Sequence, residues 1–208
     1  MAIICPTVTA YEPHQYREQM EQIDAFAERV HIDLMDGDFA PTKSPALSQI
    51  WWPHHILADI HLMYRRPMDY LELLIKLQPK IVVIHFEAEV DHMHFAAELH
   101  KAGIDAGLAL LQTTTVEDAS RVMDSFDQVL IFSGDLGHHG GKADMGLLNK
   151  VSEVSKAYPD IEIAWDGGIS DQNAKALVAG GVDVLNVGGF VQKSDNPADA
   201  YAKLKKQI

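Results

Sequence analysis

Two histidines and two aspartates stand where short apolar runs give way to polar residues. They are His31 and Asp33 in Val30-His31-Ile32-Asp33-Leu34-Met35-Asp36-Gly37, His61 in Asp59-Ile60-His61-Leu62-Met63, and Asp166 in Trp165-Asp166-Gly167-Gly168. Imidazole and carboxylate ligands suit zinc, iron(II), manganese or cobalt, and four of them leave positions open for a substrate. Residues two apart in an extended chain point the same way, so His31 and Asp33 share one side of their run. Singly, each has a plainer explanation: a histidine in an apolar strand is more often a core residue, and an aspartate at a strand end more often caps the next helix. Together the four favour one shared divalent-metal site over coincidence. His85 and Glu87, in Ile84-His85-Phe86-Glu87, are balanced between supporting such a site and marking a polar strand end. Asp36 beside Gly37 reads as a turn residue, and His92, His94 and His100 fall on a helical stretch expected to face solvent.

Glycines make a second constellation: Gly167-Gly168 after one apolar run and Gly188-Gly189 after the next. Glycine lets a backbone come close to an anion, and in parallel barrels the loops after the seventh and eighth strands often hold a phosphate. Either pair alone reads as a tight turn; both together point to phosphate. The run at 128–132 is followed by Ser133-Gly134-Asp135-Leu136-Gly137-His138-His139-Gly140-Gly141-Lys142. A loop of this composition suits a lid over bound substrate, with Gly140 and Gly141 against it.

These residues must be held by a repeating framework. Short apolar runs recur at 3–8, 30–35, 56–63, 81–86, 106–111, 128–132, 161–165 and 182–187. Stretches with helical spacing follow at 13–28, 44–52, 67–77, 91–102, 116–124, 147–158, 171–179 and 197–206. Ser170-Asp171 and Asn196-Pro197 read as helix starts. Eight strand–helix units without a linker predict an α/β fold, one (β/α)8 TIM barrel over residues 1–208, with the strands' carboxyl ends on one active face. An open doubly wound sheet is the competing architecture, but no dinucleotide-binding glycine fingerprint follows the first run. A net charge of −13 argues against a nucleic-acid partner, so an anionic substrate has to be captured by local features. The single cysteine, Cys5, allows no internal disulfide. With no signal-peptide pattern and no apolar run near the ~20 residues of a membrane span, a cytoplasmic protein without membrane partners is expected. Trp51-Trp52 reads as packing between helix and barrel rather than as a subunit interface.

At these residues the chain resembles the ribulose-phosphate 3-epimerase family, over essentially its whole length and in the same order. The strand motifs around His31 and Asp33 and around His61 are specific to that family; Asp166-Gly167-Gly168-Ile169 recurs in several phosphate-binding barrels. The resemblance implies that His31, Asp33, His61 and Asp166 ligate the metal and that Asp33 and Asp166 are also the acid–base pair. It implies a phosphorylated ketose substrate, with D-ribulose 5-phosphate and D-xylulose 5-phosphate as first expectation and a hexulose 6-phosphate as alternative. Met35 and Met63 would form an apolar wall beside the substrate, Thr9 would supply a hydroxyl, and a homo-oligomer is expected on family grounds only. Three stretches depart from the family: Cys5-Pro6-Thr7-Val8-Thr9-Ala10, the lid with Phe132 before it, and Val187-Gly188-Gly189. These changes make a catalytically silent phosphosugar-binding barrel the rival reading. A decarboxylase is disfavoured because Asp33-Leu34-Met35-Asp36 lacks the lysine of Asp-x-Lys-x-x-Asp.

Overall fold

Strands rich in Val, Ile and Leu can bury both faces, and a parallel set of them closes when helices cover the outside. The structure is a computed structural model that describes residues 2–138 and 140–208, so His139 of the glycine-rich loop lies outside the described residues. Strands β1 (Ile3–Thr9), β2 (Arg29–Met35), β3 (Leu57–Met63), β4 (Ile81–His85), β5 (Asp105–Leu110), β6 (Gln128–Phe132), β7 (Glu162–Asp166) and β8 (Val184–Val187) form a closed parallel barrel in chain order. Its helices are α1 (Pro13–Ile23), α2 (Leu71–Leu77), α3 (His92–Lys101), α4 (Val116–Met123), α5 (Leu148–Ala157), α6 (Ala174–Ala179), α7 (Gly189–Gln192) and α8 (Pro197–Lys205). Fold class and strands agree with the sequence reading. Among the described residues, no helix is long and apolar enough to cross a membrane.

The helices differ in four places. Residues 44–52 hold only a 3-10 turn, Leu47–Gln49, after which Ile50 is extended. Pro45 and Pro53 hold the residues before them away from helical backbone, and Ala46 ahead of the turn is extended as well. Ser44 is instead tied back to the end of β2, its Oγ accepting from Met35 N at 3.0 Å. Helix α1 stops at Ile23 instead of reaching residue 28, because Phe26 and Ala27 both turn back onto the Ile23 carbonyl. Helix α6 starts at Ala174 rather than 171, since Asn173 Oδ1 accepts from Ser170 N and shapes residues 170–173 as a turn. The four-residue α7 was not foreseen; it opens on Gly189 with no periodic pattern to announce it. At α8 the expected cap is present, Asn196 accepting from Asp199 N ahead of Pro197.

Alternate residues of each strand point inward and stack in layers. At the base, Arg29 Nε donates to both oxygens of Asp59 at 2.9 and 2.8 Å, and its terminal nitrogens reach Glu162 at 2.9 and 2.8 Å. Burial pushes Asp59 up to about 6 against the pull of Arg29. Beside it, from β1 and β4–β8, packs an apolar cluster of Cys5, Ile81, Val83, Ala109, Leu130, Ala164 and Val184. The top layer is polar and carries the candidate site. Outside the barrel, Trp165, Phe95 and Leu74 are fully buried under the helices. Trp52 packs partly against this core, as expected, while Trp51 stays 41% exposed.

Candidate active site

The strand register fixes which side chains meet. Asp33 on β2 pairs with His61 on β3, Thr9 on β1 pairs with Asp33, and Asp166 on β7 pairs with Asn186 on β8. One nitrogen or oxygen from each of His31, Asp33, His61 and Asp166 lies within 4.8 Å of the others, and all four residues are buried. His61 Nδ1 is 2.9 Å from Asp33 Oδ1 and 3.9 Å from Asp166 Oδ2. His31 Nε2 is 3.3 Å from Asp33 Oδ1 and 3.8 Å from Asp166 Oδ2. Bonds of about 2.0–2.2 Å to one central ion would set tetrahedral donors about 3.3–3.6 Å apart, and these separations bracket that range.

The histidines fit such an ion in a second way. Both ring nitrogens of His31 are buried without a hydrogen-bond partner among the described residues. A buried polar atom left unpaired costs about 1–3 kcal/mol, which a coordinating cation at Nε2 would offset. The carboxyls differ from each other. Burial would raise Asp33, but its contacts with His31 and His61 outweigh that and hold it well below the usual carboxylate range. Asp166 is pushed well above its ordinary value, first by burial and then by the charge of Asp33. The two carboxyls are thus shifted in opposite directions, Asp33 towards the ionised form and Asp166 towards the protonated one. Burial also lowers His31.

Above the four residues opens a cavity of about 570 Å³. Its lining includes the expected Thr9, Met35, Met63, Gly140, Gly141, Gly167, Gly168, Gly188 and Gly189, together with Phe132 and Lys142. Thr9 Oγ1 donates to Asp33 Oδ2 at 2.7 Å, so this hydroxyl orients a carboxylate. Met35 and Met63 pack with Ala40, Phe39 and Leu136 into an apolar rim. Gly167 and Gly168 have a structural duty besides any ligand: added Cβ atoms would lie 2.3 Å from Gly134 N and 2.0 Å from Ala143 N. Residues of the loop at 133–144 on either side of position 139 line the mouth of the cavity; Thr42 Oγ1 donates to the Gly137 carbonyl and Asp144 N donates to Ser133 Oγ at 2.8 Å.

Asp36 is a turn residue, its Oδ1 accepting from Asp38 N and Phe39 N and its Oδ2 from Arg65 N. His94 and His100 are exposed, but His92 is half-buried; it stacks on Phe86 and its Nε2 donates to the His85 carbonyl at 3.2 Å. That corrects the expectation of a solvent-facing His92, which arose because helical spacing alone does not tell which polar residue faces the barrel. Sequence reasoning missed Thr7 and Asn186. Both line the cavity, and Thr7 Oγ1 and Asn186 Oδ1 are buried without a partner among the described residues. The signals were present: Thr7 shares the inward parity of Thr9, and Asn186 is an amide inside the apolar run Val184-Leu185-Asn186-Val187.

Known proteins are similar to this chain in sequence and in fold. The profile described as the Ribulose-phosphate 3 epimerase family matches residues 3–192. A ribulose-phosphate 3-epimerase of Helicobacter pylori is 32% identical over 199 residues, covering 92% of this chain and 91% of the relative. One from Bacillus subtilis is 31% identical, covering 86% of each. Among solved structures, the 3-hexulose-6-phosphate synthase of Salmonella typhimurium superposes with a TM-score of 0.70 at 14% identity, covering 98% of this chain and 96% of that one. The 3-keto-L-gulonate-6-phosphate decarboxylase of Vibrio cholerae gives 0.71 at 8% identity, covering 99% and 96%. These structural likenesses concern the fold alone.

Proposed function

This chain belongs to the ribulose-phosphate 3-epimerase family, and we propose that it inverts the carbon beside the ketone of a ketose phosphate, with D-ribulose 5-phosphate and D-xylulose 5-phosphate as the substrate pair. The observation that carries this reading is the convergence of two imidazoles and two carboxylates at the foot of the cavity. His31 Nε2, Asp33 Oδ1, His61 Nδ1 and Asp166 Oδ2 would hold one divalent ion, of zinc, iron(II), manganese or cobalt. When bound, the ion supplies Lewis-acid polarisation of the ketone and neutralises charge that develops on its oxygen.

Epimerisation requires a weakly acidic C–H proton to leave one face and a proton to arrive on the other. Asp33, aligned by the Thr9 hydroxyl, is suited to take it as the carboxylate; Asp166, whose hold on a proton is raised by burial and by the charge of Asp33, is suited to return one. The next turnover in the opposite direction exchanges their roles, so no net proton is consumed. Thr7 and Asn186 offer unpartnered polar atoms to substrate hydroxyls, and Met35, Met63 and Phe132 give the reacting carbon a dry wall. The phosphate would sit among the glycine loops at 140–141, 167–168 and 188–189 with Lys142 nearby, a local cation against the acidic whole.

The test is metal analysis of the purified chain followed by conversion of D-ribulose 5-phosphate, read by NMR. About one divalent ion per chain with appearance of D-xylulose 5-phosphate supports the reading. A metal-loaded chain that binds the sugar phosphate without converting it would make the protein a silent binder instead; conversion of a hexulose 6-phosphate alone would change the substrate but keep the chemistry.

A further inference from the structure

His85 is fully buried on β4 and lies behind His61, on the side away from the two aspartates. Its Nε2 is 2.9 Å from His61 Nε2, and the two rings stack with centroids 5.0 Å apart. On its other side, His85 Nδ1 faces Glu87 Oε2 at 3.5 Å, and neither atom has a hydrogen-bond partner among the described residues. Glu87 is itself held: its Oε1 accepts from Leu111 N at 3.1 Å and from the Thr114 hydroxyl. The loop that carries Thr114 is anchored by Lys150 of α5, whose Nζ donates to the carbonyls of Leu111 at 2.7 Å and Gln112 at 2.9 Å, and to that of Thr114.

This line of contacts has only one consistent set of donors and acceptors once His61 Nδ1 faces a cation. A nitrogen that binds a metal carries no proton, so the proton of a neutral His61 must reside on Nε2. The neighbouring His85 Nε2 then has to accept, which puts the proton of His85 on Nδ1, facing a carboxylate oxygen that can only accept. We infer that His85 and Glu87 are positioning residues that fix the tautomer and ring orientation of His61, holding its Nδ1 bare and aimed at the metal site. The inference rests on the proposed metal site. Partners of this kind typically change metal affinity or activity by about 10–100-fold when removed.

Three variants separate this role from plain packing. Glu87→Gln keeps size and shape but offers an amide that can present a donor to His85 Nδ1. Meeting donor with donor would press His85 towards the wrong tautomer. His85→Leu fills the space without hydrogen bonds, while His85→Gln can accept from His61 and donate to Glu87. The measurement is zinc affinity by competition with a chromophoric chelator, together with the visible spectrum of the cobalt(II) form and kcat and KM at saturating metal. Glu87→Gln and His85→Leu are expected to weaken zinc binding about 10–100-fold, alter the cobalt spectrum and lower kcat with KM within about twofold, and His85→Gln to recover most of the loss. Should His85→Leu fail to fold, Glu87→Gln carries the test. Wild-type zinc affinity in Glu87→Gln would overturn the inference, as would equal losses in His85→Leu and His85→Gln. A wild-type chain that holds no metal would instead overturn the proposed site, and this inference with it.

Discussion

Replacing Arg29 with Met should cut the stability of the barrel severely while leaving its upper face intact. In the folded chain Arg29 is 3% exposed and Asp59 1% exposed, and both Asp59 oxygens accept from Arg29 Nε. The intact ion pair contributes little net stability, because desolvation consumes most of its attraction; losing one partner is a different matter. It leaves Asp59 as a lone buried carboxylate, at a cost of about 3–5 kcal/mol. Glu162 adds little to that cost, since its side chain is 30% exposed and retains the hydrogen bond from Gln128 at 2.6 Å. At this chain length roughly 2–4 °C accompany each kcal/mol, so the midpoint should fall by roughly 6–20 °C. Urea unfolding followed by circular dichroism would read the change as a lower midpoint with an unchanged slope. The double variant Arg29→Met with Asp59→Leu, which removes the orphaned charge, should regain at least half of the loss. A single variant within about 1 kcal/mol of wild type, or a double variant no better than the single, would refute this reasoning.

Asp33→Asn and Asp166→Asn, each assayed at saturating metal, should lower kcat by about 10²–10⁴-fold with the fold retained, since an amide cannot carry the transferred proton; full turnover in either removes it from the acid–base pair. Gly168→Ala would bring a Cβ within 2.0 Å of Ala143 N at a φ of +69°, so differential scanning calorimetry should show a lower midpoint and kinetics a raised KM, whereas wild-type values in both would mean the loops yield freely. Burial, followed by the charge of Asp59, raises the Cys5 thiol, which is 0% exposed. The folded chain therefore keeps a proton that the unfolded chain sheds above roughly pH 8.5, and the linkage sign makes stability fall as pH rises beyond that point. Cys5 should resist a thiol reagent at pH 8 until the protein is unfolded, and stability profiles of wild type and Cys5→Ala should diverge only on the alkaline side; rapid labelling of the native chain would count against this.

The strands were legible because each is buried on both faces and so reads as an uninterrupted apolar run with alternate polar exceptions. Those exceptions carried the site: His31, Asp33, His61 and Asp166 all have inward parity near carboxyl ends, and closing the barrel brings them within 4.8 Å. Helical spacing was less informative. Residues 44–52 have the spacing, but the backbone is extended at Ala46 and Ile50, and α7 has too few residues for any period to register. What could not be read was contact across strands. That Glu87 faces His85, that His85 stands behind His61, and that Lys150 anchors the loop beneath Thr114 all depend on register and loop path. Thr7 and Asn186 were overlooked for a related reason. A small polar residue in a strand looks unremarkable until the cavity it faces is seen, and with it the lack of a partner among the described residues.

The most direct trial of the account is exchange of the carbon-bound proton beside the ketone, followed by NMR with metal-loaded protein and D-ribulose 5-phosphate in deuterium oxide. Deuterium should enter at that carbon as the second epimer accumulates, and a chelator that strips the metal should stop both. If the loaded protein binds the sugar phosphate yet the carbon keeps its original hydrogen, two carboxyls flanking a ketose carbon is the wrong description of this barrel's mouth.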